Sequence, residues 1–227
     1  MNLEANLEAV RQEYLRRITC GEGQLLRQVE DFVSSRPGKM LRPQLTLFAA
    51  DTLGQSSSRR TLLLATAVEL LHNASLMHDD IIDHADTRRG QPSVNARWSN
   101  AVAVLVGDFL LAQVMRILPE VNEPDTTRRV YETVEAMVQA ELLQQECANP
   151  DLLPLTSYLK IIDGKTARLF ATACAIGNPQ YEEFGLHYGR LFQMRDDIAD
   201  GEAPLFVQQL IEQETQEINN LKYILSI

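Results

Sequence analysis

The chain has 227 residues, 45% of them hydrophobic, which is enough to bury the core of one domain or of two small ones. Its 31 acidic residues outnumber its 21 basic residues, and the net charge of −10 argues against general electrostatic binding to nucleic acid or to an acidic membrane surface. The three cysteines show no CxxC spacing, so we predict reduced thiols in a cytoplasmic protein and neither a disulfide framework nor a zinc site.

The first half of the sequence is divided into segments of helical length. No proline interrupts residues 44–91, where the one clear break is Gly54 with the polar residues that follow it. This break predicts a helix that ends near Leu53 and a long helix from about Arg59 to about Ala85. Apolar residues recur every three or four positions in the long segment, as the buried face of a helix requires.

The second half also consists of segments that favour helices. Asp125 with the two threonines after it, and Asn178 followed by Pro179, are typical helix starts. The most apolar run, Ala101 to Gly107, is too short to span a bilayer, so we predict no transmembrane segment. Strict alternation of apolar and polar residues is missing, and a sheet is not expected. We therefore predict a single all-α domain over residues 1–227.

One acidic pattern occurs twice, with two adjacent aspartates followed by a third after two other residues. The two triplets are Asp79-Asp80-x-x-Asp83 and Asp196-Asp197-x-x-Asp200. On a helix the first and last carboxylates of a triplet lie on one face, a turn apart. Three like charges at this spacing repel one another unless a cation lies among them. The pattern therefore indicates a divalent cation.

A solvated surface is the alternative interpretation for either triplet alone, because acidic clusters on helices are commonly exposed. Both triplets, however, follow apolar stretches that include Leu70 and Leu191, where a solvated face is not expected. Oxygen ligands without cysteine select a hard ion, and a few carboxylates combined with substrate phosphate suit Mg²⁺. We therefore predict a magnesium site.

Basic residues lie near these acids in the sequence. They are Arg88 and Arg89 after the first triplet, Lys39 and Arg42 around an earlier helix start, and Lys165 after a glycine. Guanidinium groups form paired hydrogen bonds with phosphate oxygens, and helix amino termini offer free N–H groups. Each pair alone fits a surface charge or a helix cap, but together they favour binding sites for diphosphate.

The combined motifs resemble those of the trans-isoprenyl diphosphate synthases, and among them the polyprenyl diphosphate synthases of octaprenyl type. The resemblance extends from about Gly38 to Asp200 and is carried by the order and approximate spacing of the motifs. They are Gly38-Lys39-Met40-Leu41-Arg42-Pro43, His72, the first triplet with Arg88-Arg89-Gly90, Gly107-Asp108, Lys165-Thr166, and Phe192-Gln193 before the second triplet.

This resemblance implies a fold, a cofactor and an assembly. The fold would be an isoprenoid-synthase-type helical bundle around a central cavity, with the two triplets facing each other across it. The cofactor would be Mg²⁺, three ions per site in the family, and the assembly a homodimer. The implied metal ligands are Asp79, Asp80, Asp83, Asp196, Asp197 and Asp200.

The resemblance also assigns substrates. Isopentenyl diphosphate would be held by Lys39, Arg42, His72 and Arg89. An allylic diphosphate would be held by Arg88, Lys165, Thr166 and Gln193. The implied catalytic groups are the aspartates of the triplets, above all Asp79, Asp80, Asp83, Asp196 and Asp197, together with Lys165.

Residues before the first triplet bear on product length. A hydrocarbon chain growing from Asp79 would run back along the helix at about 1.5 Å per residue, past Ser75 and Ala74. In the resembled family a bulky side chain at either position stops elongation early. Both residues are small here, so we expect a medium- or long-chain product.

The sequence departs from the family after Asp200, where a glycine- and lysine-containing loop and several helices are replaced by one predicted helix to Ile227. The domain is thus predicted to be shortened after the second triplet. This keeps an alternative open, a catalytically weak or regulatory subunit of a hetero-oligomeric synthase. A class I terpene cyclase is a further alternative, but it would not need Lys39, Arg42 and Arg89 for a second diphosphate.

Overall fold

The computed structural model describes residues 2–19, 23–34, 38–88, 90–147, 153–201, 203–204 and 206–225. Side chains are described for these residues except at positions 30, 34 and 223–225. The α-helices of the described residues are α1 (Leu3–Ile18), α2 (Gln24–Ser34), α3 (Leu41–Asp51), α4 (Arg59–Ile82), α5 (Val94–Arg97), α6 (Asn100–Val121), α7 (Pro124–Glu146), α8 (Leu155–Ile162), α9 (Arg168–Gly177), α10 (Glu182–Asp200) and α11 (Val207–Leu225).

Four shorter elements interrupt this succession of helices. Strands β1 (Thr87–Arg88) and β2 (Gln91–Pro92) pair antiparallel after α4. A π-helical turn, Asp163–Ala167, joins α8 to α9, and a 3₁₀ turn, Pro179–Tyr181, precedes α10. Within the described residues the two-residue strands are the whole β content, which confirms the predicted all-α class.

Helix boundaries follow the predicted punctuation closely. Ser58 caps the start of α4 by accepting a hydrogen bond from the Thr61 N–H, and Asn178 caps the 3₁₀ turn in the same way. The long helix ends at Ile82, three residues before the predicted end. It stops there because the backbone turns into the left-handed region at His84, with φ of 51°.

The contacts divide the chain into two compact units, and each is described by itself. The first unit comprises Met1–Leu47 and Gly54–Glu123. Its core is formed mainly by α4 and α6, with α1 packed on α4. Leu64, Leu70 and Ile117 are fully buried in it. The prediction of a single domain over residues 1–227 stays a prediction.

The second unit comprises Phe48–Leu53 and Pro124–Ile227. Helix α10 packs against α9, α11 and the π turn. Two glycines of α10 permit this close approach: a Cβ at Gly189 would lie 2.6 Å from Ala167 Cα, and one at Gly185 would lie 2.6 Å from the Phe170 carbonyl oxygen. Side chains at these positions would push the helices apart.

Helix α6 is, among the described residues, long and apolar enough to cross a membrane, with a mean hydropathy of 1.9 over its most apolar window. Core helices of soluble proteins meet the same criterion. Ala103, Leu110 and Ile117 of α6 are buried in the first unit, so this helix has a role in the core. The absence of a transmembrane segment stays a prediction.

The two cysteines in the described residues carry free thiols. Cys174 is buried in the second unit, and burial raises its pKa to about 12, which leaves the thiol protonated and unreactive at neutral pH. Cys147 is half-buried. Cys20 lies outside the described residues, and the reduced state of the thiols stays a prediction.

Candidate active site

The first aspartate triplet lies at the carboxyl end of α4. Asp79 and Asp80 belong to the last turn, and Asp83 is the C-cap residue, whose N–H donates to the Asp79 carbonyl at 2.8 Å. Asp80 is buried, with 1% of its surface exposed, whereas Asp83 is exposed. The helix dipole is negative at this end and disfavours carboxylates. The triplet therefore occupies a position where a cation would be strongly stabilising.

Arg88 provides one such positive charge within the first unit. Its Nε and Nη2 lie 2.6 Å and 2.5 Å from Asp80 Oδ1. The β1–β2 hairpin reverses the chain at Gly90, where φ is +73°, and carries Arg88 back towards the end of α4. An ion pair between residues eight positions apart thus depends on the turn that follows the helix.

Side-chain hydrogen bonds hold the loop between α4 and this hairpin. Asn95 donates to the Asp80 and Ala85 carbonyls at 3.2 Å and 3.1 Å. Ser93 donates to the Ala85 carbonyl at 2.7 Å and also caps α5. The Asp80 carbonyl also accepts from the Ala85 N–H at 2.9 Å, so both carbonyls tie the end of α4 to the segment that follows it. The segment that carries Arg88 is therefore well anchored.

The residues predicted to hold isopentenyl diphosphate belong to the first unit as far as they are described. Arg42 is buried in the first turn of α3, Lys39 is exposed just before it, and His72 is half-buried on α4. Met40 adopts a left-handed conformation, with φ of 49°, which is uncommon for a residue with a side chain. Arg89 lies outside the described residues.

The second triplet lies at the carboxyl end of α10, which ends at Gly201 with φ of 76°. Asp196 and Asp200 are exposed, and Asp197 is half-buried. The negative end of a helix dipole again meets three carboxylates. Both triplets therefore occupy the same local setting, each in its own unit.

Asp197 accepts hydrogen bonds on both of its carboxylate oxygens. The Tyr158 hydroxyl of α8 donates to Oδ2 at 2.6 Å, and Gln193 Nε2 donates to Oδ1 at 2.8 Å. The amide oxygen of Gln193 in turn accepts from the Thr166 hydroxyl at 2.5 Å. The pKa of the Tyr158 hydroxyl is raised well above its ordinary value. Burial is the larger cause, and the hydrogen bond to Asp197 is the second. Two predicted allylic-site residues, Thr166 and Gln193, thus contact each other.

The π turn places Lys165 against α7. Lys165 Nζ lies 2.8 Å from Glu141 Oε2 and donates to Gln144 Oε1 at 3.2 Å. Gly164 allows this approach, because a Cβ there would lie 2.5 Å from Ala140 Cβ. An isolated π turn in a helical segment frequently marks a functional site.

Sequence reasoning missed Tyr158, Glu141 and Gln144. Glu141 and Gln144 are three positions apart on a helix, so they share a face, and this spacing could have drawn attention to them. Tyr158 shows no comparable pattern in the sequence. Only the packing of α8 beside α10 brings its hydroxyl to Asp197.

The predicted chain-length residues, Ser75 and Ala74, lie four and five positions before Asp79 on α4. Ala74 is fully buried in the first unit, and Ser75 is half-buried and donates to the His72 carbonyl at 2.9 Å. Both side chains are small, and as consecutive residues of α4 they point about 100° apart around the helix axis.

Among the described residues, no group of three acidic, histidine or cysteine side chains converges as a preformed metal site. Mg²⁺ commonly binds through one or two carboxylates together with substrate phosphates and water, and does not need such a cage. The donor set here consists of carboxylate oxygens at two dipole-negative helix ends. This chemistry fits a hard divalent cation.

Comparisons with known proteins identify the family of the chain. The sequence model of the polyprenyl synthetase family matches residues 23–204. An all-trans-nonaprenyl-diphosphate synthase (geranyl-diphosphate specific) from Rhodobacter capsulatus is 36% identical over 185 residues, which are 78% of this chain and 57% of the relative. Heptaprenyl diphosphate synthase component 2 from Geobacillus stearothermophilus is 35% identical over 87% of this chain and 64% of its own length.

A solved structure gives the same result. The polyprenyl synthase from Caulobacter crescentus CB15, complexed with calcium and isoprenyl diphosphate, matches with a TM-score of 0.80 at 31% identity, over 86% of this chain and 62% of that chain. This chain therefore spans less than two thirds of the length of these three proteins. As its motifs predicted, it belongs to the polyprenyl synthetase family and has the all-α isoprenoid-synthase fold.

Proposed function

We propose that the chain is a Mg²⁺-dependent trans-prenyltransferase that condenses isopentenyl diphosphate with an allylic diphosphate. The observation that carries this proposal is the pair of aspartate triplets at the carboxyl ends of α4 and α10, each with its middle aspartate held by neighbouring side chains. The similarity to a nonaprenyl diphosphate synthase supports a medium- or long-chain product. The proposed location is the cytoplasm.

Three Mg²⁺ ions are proposed to bind with the substrate, held by Asp79, Asp80, Asp83, Asp196, Asp197 and Asp200. When bound, the ions would neutralise the charge on the leaving diphosphate. The bound calcium and isoprenyl diphosphate of the Caulobacter crescentus polyprenyl synthase support divalent-cation binding in the family. Exposure of Asp83, Asp196 and Asp200 leaves their carboxylates accessible to such ions.

The basic and polar side chains proposed for the allylic diphosphate are Arg88, Lys165, Thr166 and Gln193. Breaking the allylic carbon–oxygen bond leaves an allyl cation and a diphosphate with extra negative charge. Groups directed at that charge stabilise the transition state more than the ground state. Arg88 and Lys165 are already oriented by Asp80 and Glu141, so little side-chain freedom is lost on binding.

Isopentenyl diphosphate is proposed to bind Lys39, Arg42, His72 and Arg89. Its double bond attacks the allyl cation, which forms the new carbon–carbon bond, and the proton lost from the adduct passes to the departed diphosphate. Arg42 is buried in the first turn of α3, where helix N–H groups also favour a phosphate. Water must be excluded because it would trap the cation.

Product length provides a separate test. Phe at position 74 would overpack a fully buried site, so Ser75→Phe is the better variant, with Ser75→Ala as its control. We expect Ser75→Phe to shift the products to shorter chains, because the ring blocks the path along α4. Chromatographic sizing of the products measures the shift. An unchanged length distribution would contradict the proposed path.

A homodimer is proposed for the assembly, on the strength of an apolar surface. Val104, Leu105 and Met115 of α6 are 42%, 67% and 60% exposed. They lie on one side of the helix, opposite its buried residues. Large exposed apolar patches are unfavourable in water and commonly mark an interface.

A second candidate function follows from one of the comparisons. The Geobacillus stearothermophilus relative is described as component 2 of a heptaprenyl diphosphate synthase. On this alternative the chain would be one subunit of a hetero-oligomeric synthase and would have little activity alone.

One experiment separates these candidates. The purified chain is incubated with farnesyl diphosphate, labelled isopentenyl diphosphate and Mg²⁺, and the products are sized. Incorporation of label supports elongation, and no reaction favours the subunit candidate. A hydrocarbon without label would indicate a terpene cyclase and contradict the proposal. Asp80→Ala and Asp197→Ala are the matched inactive controls, expected to abolish Mg²⁺-dependent turnover.

A further inference from the structure

The side chains around Asp197 form a connected network within the second unit. It runs from the Thr166 hydroxyl to the Gln193 amide, then to the Asp197 carboxylate, which also accepts from the Tyr158 hydroxyl. Thr166 and Tyr158 are both buried. All three hydrogen bonds are donated towards Asp197, which is the final acceptor of the network.

The π turn explains how one helical segment supplies both ends of this network. In an uninterrupted α-helix, residues eight positions apart are about 80° apart around the axis. A π turn absorbs about one extra residue, which brings Tyr158 and Thr166 close to a two-turn spacing on one face. Both hydroxyls can then reach neighbouring residues of α10, Asp197 and Gln193.

The donors to Asp197 are neutral. They fix the orientation of the carboxylate and leave its negative charge uncompensated, and each oxygen keeps a further lone pair. A carboxylate in this state is well suited to a cation. Some side chains do not touch the metal but hydrogen-bond to one of its ligands and orient it. Replacing such a side chain typically changes metal affinity or activity by about 10- to 100-fold.

We propose that Tyr158 is a positioning residue of the second triplet, which fixes the Asp197 carboxylate for a metal–diphosphate ligand together with the Thr166–Gln193 pair. This inference rests on the proposed function. The ring of Tyr158 packs against Phe206, at 5.6 Å between centroids, and contributes to a cluster with Met194 and Val207. The hydroxyl is therefore the part that acts on Asp197.

The test replaces single hydroxyl groups. Tyr158→Phe keeps the ring and removes the donor. Tyr181→Phe is the matched control, because Tyr181 is equally buried in the second unit and its hydroxyl makes no hydrogen bond among the described residues. Mn²⁺ binding in the presence of inorganic diphosphate is measured by calorimetry, alongside the thermal midpoint and the Mg²⁺ dependence of elongation.

We expect Tyr158→Phe to weaken Mn²⁺ binding about tenfold and to raise the Mg²⁺ concentration for half-maximal elongation by a similar factor. Its thermal midpoint should change no more than that of Tyr181→Phe. If Tyr158→Phe fails to fold, the network is tested at its other end by comparing Thr166→Val with Thr166→Ser. Only the valine variant removes the hydroxyl that donates to Gln193. The valine variant should weaken Mn²⁺ binding more than the serine variant.

The outcomes separate this inference from the proposed function. If the wild type elongates and Tyr158→Phe binds Mn²⁺ as tightly as the wild type does, the inference is overturned and the proposed function stands. Weaker Mn²⁺ binding in Tyr158→Phe without elongation by the wild type supports the inference and overturns elongation. Absence of Mn²⁺ binding by the wild-type chain overturns both.

Discussion

The two aspartate triplets have the same sequence pattern and the same position at a helix end, but their middle aspartates are held differently. Asp80 is almost fully buried and pairs with the charged Arg88. Asp197 is half-buried and accepts from the neutral side chains of Tyr158 and Gln193. A buried carboxylate needs a compensating charge, whereas a partly hydrated one needs only hydrogen bonds. Local burial thus decides which partner a repeated motif acquires.

Substitution by asparagine gives the largest expected difference between the triplets. Asp80→Asn removes the charge that balances Arg88, and because Arg88 is one-third exposed we expect a loss of about 2 kcal/mol in the free energy of unfolding. Asp197→Asn can still accept from Gln193 and donate to the Tyr158 oxygen, so its loss should stay below about 1 kcal/mol. Urea unfolding measures both, and equal losses would contradict the comparison.

Acid sensitivity gives a smaller effect, confined to the first unit. Arg16 and then Arg17 hold the pKa of Glu13 at about 2, against an ordinary value of about 4.5. Because the folded pKa is the lower one, this stabilisation is present above about pH 4.5 and is lost as the pH falls towards 2. It amounts to about 1 kcal/mol, because Arg16, which lowers this pKa most, is 60% exposed and its pairing is screened by solvent.

Glu13→Gln is the variant that isolates this contribution. It should lower the unfolding free energy at pH 7 and flatten the pH dependence between about pH 5 and about pH 2. Glu132→Gln is a suitable control, since Glu132 pairs with Arg128 at an exposed position of α7, where a salt bridge contributes little. If the unfolding free energy of Glu13→Gln depends on pH as that of the wild type does, the pairing of Glu13 with Arg16 and Arg17 is contradicted.

Alkaline titration gives the smallest effect and concerns the second unit. Burial and the bond to Asp197 raise the pKa of Tyr158, so its hydroxyl is neutral where ordinary tyrosines ionise, near pH 10. Because the pKa of Tyr158 is higher in the folded than in the unfolded chain, its contribution to the free energy of unfolding is present below about pH 10. That contribution is lost as the pH rises through the raised pKa. Ultraviolet titration should show the same number of tyrosines ionising between about pH 9 and 11 in the wild type and in Tyr158→Phe. One fewer in the variant would refute the assignment.

Much of the fold could be predicted because it depends on local pattern. The break at Gly54 and the apolar spacing after it placed α4 to within three residues. The two triplets and the family were also identifiable, since each motif is a short stretch of chain. Local periodicity acts over a few residues and is fully contained in the sequence.

The pairings within the site could not be predicted in this way. Tyr158 and Asp197 are 39 positions apart, and their contact requires α8, the π turn and α10 to pack at one particular register. Lys165 meets Glu141 because Gly164 permits a close approach to α7. The sequence by itself determined the helices, the carboxylate pattern and the family. The tertiary structure decided which partner orients each aspartate, because burial and contact between distant residues arise only when the helices pack.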